Sequence, residues 1–429
     1  MADLRERYES WREARVRVRL AYFLGDVAEL DFERADEEHL DVTSGDALAE
    51  VRGEASPTSF ADARECQRRM LAALEAAVVV RRTRVLAARA RARPDATALR
   101  EELVARESEA LAELGHESAR RYAESLRAGL DYTGWSAQAE QLLAATASDF
   151  HDVQRALRPL DWADVLPASR LRSALDFALE GMGIPLARAP GLRSDESLRS
   201  GGRELAFASA PRVPGDVWLI GAPRAGIPAL EALFAAAGEA LHAAFTSQTL
   251  PLELRVLGDP ASALVWRFLL PQILAEASFA EAGPAGGRTH EFLAVLRARR
   301  LAAARRSASL VAPELALAEL APGSDPHGLE SLYAQSVEAA LGRAPDESAF
   351  LIECSARLNA VDELRALALA GELTRHLRER FGRRFWSTRG AGELLLELWN
   401  TGTRYAPEAL AQSLGLGRLG ADSLTRALL

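Results

Sequence analysis

Cysteine, methionine and aromatic residues are scarce in this chain. Of 429 residues, two are cysteine, three are methionine and 6% are Phe, Trp or Tyr. Cys66 and Cys354 lie far apart, with no C-x-x-C spacing and no neighbouring histidine, which excludes a disulfide framework and a cysteine-based metal site. They read as buried thiols in a reducing compartment. No apolar run approaches the ~18 residues that cross a bilayer. The first residues, MADLRERYES, are charged and contain no apolar signal core. The expected location is the cytoplasm, away from membranes. An excess of positive charge is also missing. With 52 Lys and Arg against 61 Asp and Glu, the formal charge is −9, which excludes general attraction to nucleic acid or anionic lipid. The arginines at Arg81, Arg82, Arg84, Arg89, Arg91 and Arg93 have no interleaved aromatic residues and read as a solvated helix face.

What is abundant is Ala, Leu, Arg and Glu, the residues that lose least on entering a helix. The 48% hydrophobic and 26% charged fractions are those of a globular protein with a sizeable core. Helical periodicity runs from Met1 to Asp31, from the Pro57 break to Pro94, then over Thr97–Leu114, His116–Leu130 and Trp135–Arg158. Arg158-Pro159-Leu160-Asp161-Trp162 marks a boundary, so an N-terminal helical region (1–155) precedes a second domain (156–429). In the second domain a helix covers Leu171–Met182, and Ser194–Gly202 is a polar, Gly-rich stretch. Alternation over Glu204–Ala208 and Asp216–Ile220, with Pro214-Gly215 between, predicts one small hairpin. Helices follow at His290–Ala312 and Leu329–Leu341, and a long helical segment lies within Leu351–Phe381.

The chemistry-bearing stretch is GIPALEALFAAAGEALHAAF, beginning at Gly226. At its centre stands Gly238-Glu239-Ala240-Leu241-His242. The pattern H-E-x-x-H on a helix places two histidines one turn apart, where both reach one zinc ion and the Glu acts as general base. Here the first histidine is glycine. A second candidate motif, Gly415-Leu416-Gly417-Arg418-Leu419-Gly420, matches G-x-G-x-x-G but follows a helix and has no βαβ unit after it, so it reads as a turn.

Beyond those five residues the match lengthens. Leu250–Leu269, LPLELRVLGDPASALVWRFL, lies without a gap on LPFEFRxLGDNxVTExxAFL. Ala206–Ile220 resembles AFCxPIRVPxEVYLV, and Leu377–Trp399 resembles RERFGxxWWxxxxAGxxLxELW. Arg299-Arg300-Leu301-Ala302 resembles the start of RRYAAKLLYELELH. These segments resemble the thimet oligopeptidase and oligoendopeptidase family of gluzincin metallopeptidases, in its shorter bacterial branch. The resemblance implies a mostly α, zincin-like helical metallopeptidase fold with one small β-sheet and a deep substrate channel. It also implies zinc as the family cofactor and an edge strand beside the zinc helix that pairs with extended substrate.

On that frame the third zinc ligand, a Glu, falls on Leu264, and the tyrosines that steady the oxyanion fall on Asn359 and Glu363. His242 is the only retained ligand position and Glu239 the remnant general base. The expectation is therefore a pseudopeptidase: no zinc, no intact catalytic set, and a cleft bordered by Glu239, His242, Asn359 and Glu363. That cleft would bind a peptide or a partner protein, such as an active paralogue. Swapping ligands for Gly238 and Leu264 also predicts a drier and emptier cleft floor. Two alternatives stand beside it. One is an active zinc oligopeptidase whose ligands come from elsewhere, such as Asp259 or Glu363. The other is a cleft recruited for small-molecule chemistry.

Overall fold

The structure is a computed structural model, which describes residues 2–24, 26–27, 29–53, 61–92, 97–127, 129–153, 162–196 and 205–428. The breaks expected at Pro57–Phe60 and Arg158–Asp161, and most of the polar stretch up to Gly202, lie outside these residues.

The first helix, α1 (Ala2–Leu24), buries Leu4, Tyr8 and Trp11, whose spacings keep them on one face, and also Leu20 near its end. It stops seven residues short of the expected end, where the sequence turns to Gly25-Asp26. The second long helix, α2 (Ala61–Ala92), packs Met70, Leu74 and Ala77 against Leu4, Tyr8 and Trp11 in a small core that also takes in Leu252. One helix was expected from Trp135 to Arg158. Instead α3 (Tyr132–Ala145) and α4 (Ala147–Val153) meet at Thr146, whose hydroxyl donates to Leu142 O at 2.7 Å and accepts from Arg305 at 2.7 Å. That side-chain bonding competes with a continuous helix.

The sheet has three strands where a two-stranded hairpin was expected. β1 (Leu192–Asp195) runs parallel to β3 (Asp216–Gly221), with Leu192 opposite Val217. β2 (Ala206–Arg212) runs antiparallel on the other side of β3, with Phe207 opposite Ile220. β1 reads Leu-Arg-Ser-Asp and has no apolar alternation, so its strand state is set by pairing and not by its own pattern. The sheet lies between two helices. Ala206, Ala208, Val217 and Leu219 pack toward the large core with α5 (Ile227–Phe245). On the other face Phe207 meets Phe23 of α1 at 4.7 Å.

The remaining helices enclose α5. α6 (Pro260–Leu269) crosses it, and α7 (Thr289–Glu319) continues past the expected end at Ala312 and through Pro313. Pro313 cannot donate to the preceding turn, but its burial with Val311, Glu314 and Leu317 holds the helix together. Next come α8 (Leu329–Leu341) and α9 (Asn359–Phe381). Every residue of α9 from Leu364 to Thr374 is buried, as expected of a helix at the centre of a core. Its first turn is received by Glu314 of α7, whose carboxylate accepts from Ser355 N at 2.9 Å and Ala360 N at 2.8 Å. α10 (Ala421–Leu428) packs on α9. The large core runs from Ala123 to Leu428 and so takes in side chains on both sides of residue 155. Among the described residues no helix is long and apolar enough to cross a membrane.

Candidate functional site

The helix carrying GEALH begins at Gly226, whose φ of 92° turns the chain into Ile227 and Pro228, a residue suited to the first turn because it lacks an N–H. Apolar Leu230, Leu233, Phe234, Ala237 and Leu241 then bury α5. The partner helix α6 is started by Asp259, whose side chain accepts from Ala261 N at 2.9 Å. The same carboxylate takes two bonds from Arg365 of α9, at 2.8 and 2.7 Å. Arg365 is almost fully buried and also binds Glu408 and Asp362. α6 is thereby fixed to α9.

α5 and α6 approach closely at Gly238. A β-carbon there would lie 2.8 Å from the carbonyl carbon of Trp266, nearer still to its oxygen, and 3.3 Å from Cβ of Leu270. Only a glycine lets two backbones approach in this way. The floor expected to be empty is packed: backbone of the neighbouring helix fills the space where a ligand side chain would begin.

His242 is buried, 4% exposed. Its Nε2 lies 3.1 Å from Gly402 O, and because a carbonyl can only accept, Nε2 carries the proton. The ring stacks on Trp266 at 5.5 Å, and Trp266 meets Trp399 edge-on at 6.1 Å. Burial pushes the imidazole down to about 4, so the ring is neutral. The loop that receives it is held from α2: Arg69 donates to Thr403 O at 2.9 Å, Arg404 O at 2.9 Å and Glu253 O at 3.1 Å.

The other expected residues separate. Leu264 is half-buried against the large core, and Asn359 is exposed at the first position of α9. Glu363 is half-buried and accepts from Ser307 Oγ at 2.5 Å. Glu239 faces Arg267, whose Nη1 is 3.6 Å from its carboxylate. Burial raises the Glu239 carboxyl above the usual carboxylate range, and Arg267 pulls the other way.

A cavity of about 410 Å³ opens between α5, α6, α7 and α9, lined among others by Glu231, Arg267, Phe268, Arg299, Glu363 and Leu367. Of the expected residues, Glu363 is on its wall and Glu239 adjoins it through Arg267. Gly238, His242, Leu264 and Asn359 are not on the wall. Arg267 itself was not anticipated, although a signal was present: the motif laid on Leu250–Leu269 carries alanine at this place. Leu205, at the start of β2, also borders the cavity. Ala222 N donates to Leu205 O at 2.7 Å, which sets the antiparallel alternation so that the main-chain groups of Ala206 and Ala208 point away from β3, along the open edge of the sheet.

Zinc bound in this motif requires three protein donors. Of Gly238, His242 and Leu264 only His242 has one, and it is turned toward Gly402. Asp259 is held by Arg365 and Glu363 by Ser307. The residues in place do not fit the ion. Among the described residues, the one group of three potential ligand side chains within reach of one another is Glu101, His327 and Glu330, which does not include His242.

No family model and no curated protein matches the sequence. Solved structures do match, at low identity. A structure described as CHT aligns with a TM-score of 0.67 and 12% identity over 99% of this chain and 98% of the other. Trypanosoma cruzi metallocarboxypeptidase 1 aligns with a TM-score of 0.67 and 13% identity over 100% and 98%. A Bacillus anthracis chain assigned to oligoendopeptidase F aligns with a TM-score of 0.52 and 9% identity over 99% and 72%. Identities this low speak for the fold alone, and the chain has the fold of the helical metallopeptidases.

Proposed function

We propose that this protein is a non-catalytic member of the peptidase fold that holds an extended peptide, or a segment of a partner protein such as an active paralogue, in the inherited cleft without cutting it. The contact at Gly238 carries this reading. A histidine cannot replace that glycine unless α6 moves, so the backbone itself, and not only the side chains at 238 and 264, supports a site without metal. The open edge of β2 supports the binding half of the proposal. Among the described residues no further strand pairs with β2, so the main-chain groups of Ala206 and Ala208 can take up an added strand beginning beside Leu205 at the cavity border.

The test is zinc analysis of the purified full chain after saturation with zinc, alongside peptide cleavage and peptide binding on one set of peptides. The expected result is substoichiometric zinc, no cleavage that a chelator abolishes, and saturable binding. About one equivalent of zinc with chelator-sensitive cleavage would show an active peptidase with non-standard ligands and overturn the proposal.

A further inference from the structure

The cleft wall carries three arginines, and two of them are committed. Arg299 Nε donates to Glu231 at 2.5 Å. Arg300 donates to Pro271 O and, at 3.1 Å, to Gln272 Oε1. Arg267 differs: 55% of its side chain is exposed, and its ion partner, Glu239, is 3.6 Å away. That is longer than the ~2.7–2.9 Å of a charge-assisted hydrogen bond. Its base is fixed, because the preceding residue is Trp266, whose carbonyl is wedged against Gly238. A rigid backbone therefore presents a loosely held guanidinium to the cavity.

We propose that Arg267 anchors a carboxylate of the ligand, so that the cleft selects peptides bearing an acidic group. This inference rests on the reading of the cleft as a peptide-binding site. The ligand carboxylate displaces Glu239 and takes two parallel N–H···O bonds from the guanidinium fork. Phe268, Leu364 and Leu367 on the adjoining wall receive an apolar side chain next to the acidic one. An acidic side chain and a peptide C-terminus offer the same group. The chain as a whole carries −9 and repels acidic ligands, so a preference for them has to come from a local contact of this kind.

The test is calorimetric titration of the full chain with three N-acetylated peptides of the same Leu- and Ala-based sequence. One carries an internal Glu and an amidated end, one has no acidic residue and a free C-terminus, and one is neutral and amidated. The expected result is that an acid-bearing peptide binds about tenfold or more tightly than the neutral one, the size of a hydrogen bond to a charged group. Whichever acid-bearing peptide gains identifies the source of the carboxylate. Arg267→Glu abolishes the preference and transfers it to a peptide with Lys in place of Glu. Glu239→Gln, which frees the guanidinium, tightens binding of the acid-bearing peptide. Equal binding of acidic and neutral peptides, or a preference that survives Arg267→Glu, overturns the role of Arg267. Failure of all the peptides to bind overturns the peptide-binding reading beneath it.

Discussion

The carbonyl group of Trp266 stands where a β-carbon on Gly238 would have to be placed. Two helices meet there backbone to backbone, and the contact decides what position 238 can hold. Gly238→Ala forces the crossing apart or strains it, with an expected cost of about 1–3 kcal/mol. Gly238→His, alone or with Leu264→Glu, destabilises further and does not create a stoichiometric zinc site. Urea denaturation of the variants checks the stabilities, and zinc analysis of Gly238→His checks the metal. A Gly238→Ala protein as stable as the parent would refute the close crossing.

His242 makes stability depend on pH. Burial lowers its pKa from 6.5 to about 4 in the folded chain. Between those values the unfolded chain binds a proton that the folded chain refuses, so stability rises with pH through this window and is lost as pH falls from 6.5 toward 4. The slope from this residue is at most one proton, or about 1.4 kcal/mol per pH unit. His242→Gln keeps a donor for Gly402 O and removes the titration. The stability difference between parent and variant should therefore shrink on going from about pH 7 to about pH 4.5. A difference that stays constant over that range would show that His242 is not held neutral.

Asp259 and Arg365 join α6 to α9 through two bonds inside the core. Asp259→Ala takes two charge-assisted bonds from the buried Arg365, which keeps Asp362 and Glu408, and removes the side-chain cap of α6, so it should cost about 2–4 kcal/mol. Arg365→Met should also be severe, because Glu408 and Asp362 lose a partner as well. The double variant should lose less than the sum of the two, by about 1–3 kcal/mol of coupling energy. Additive losses in denaturant unfolding would show that the pair does not act as a unit.

Much of the fold was legible in the residues. The stretch singled out from Gly226 coincides with α5, and the expected limits of the Leu329–Leu341 helix match the observed ones. The errors have identifiable causes. β1 has no pattern of its own and forms only because β3 lies beside it. Thr146 breaks a helix whose periodicity continues across it. Pro313, which in isolation ends a helix, is carried through by packing against its neighbours. In the site, GEALH and Leu264 show directly that two of the three positions on the zinc-ligand frame carry no donor side chain. Spacing along a helix, however, does not reveal which face is turned inward, so the burial of His242 against Gly402, 160 residues away, was beyond it.

Two donors required for a zinc site are missing from Gly238 and Leu264, and the amino-acid order alone establishes that, because no fold can give a glycine or a leucine a metal-binding atom. How the space beside Gly238 is filled is a separate matter, settled by how closely α5 and α6 pack in the folded chain. The same close packing sets Arg267 on a fixed backbone with a loosely held head group beside the cavity, a placement that depends on helices distant in sequence and that exists only when they are packed together.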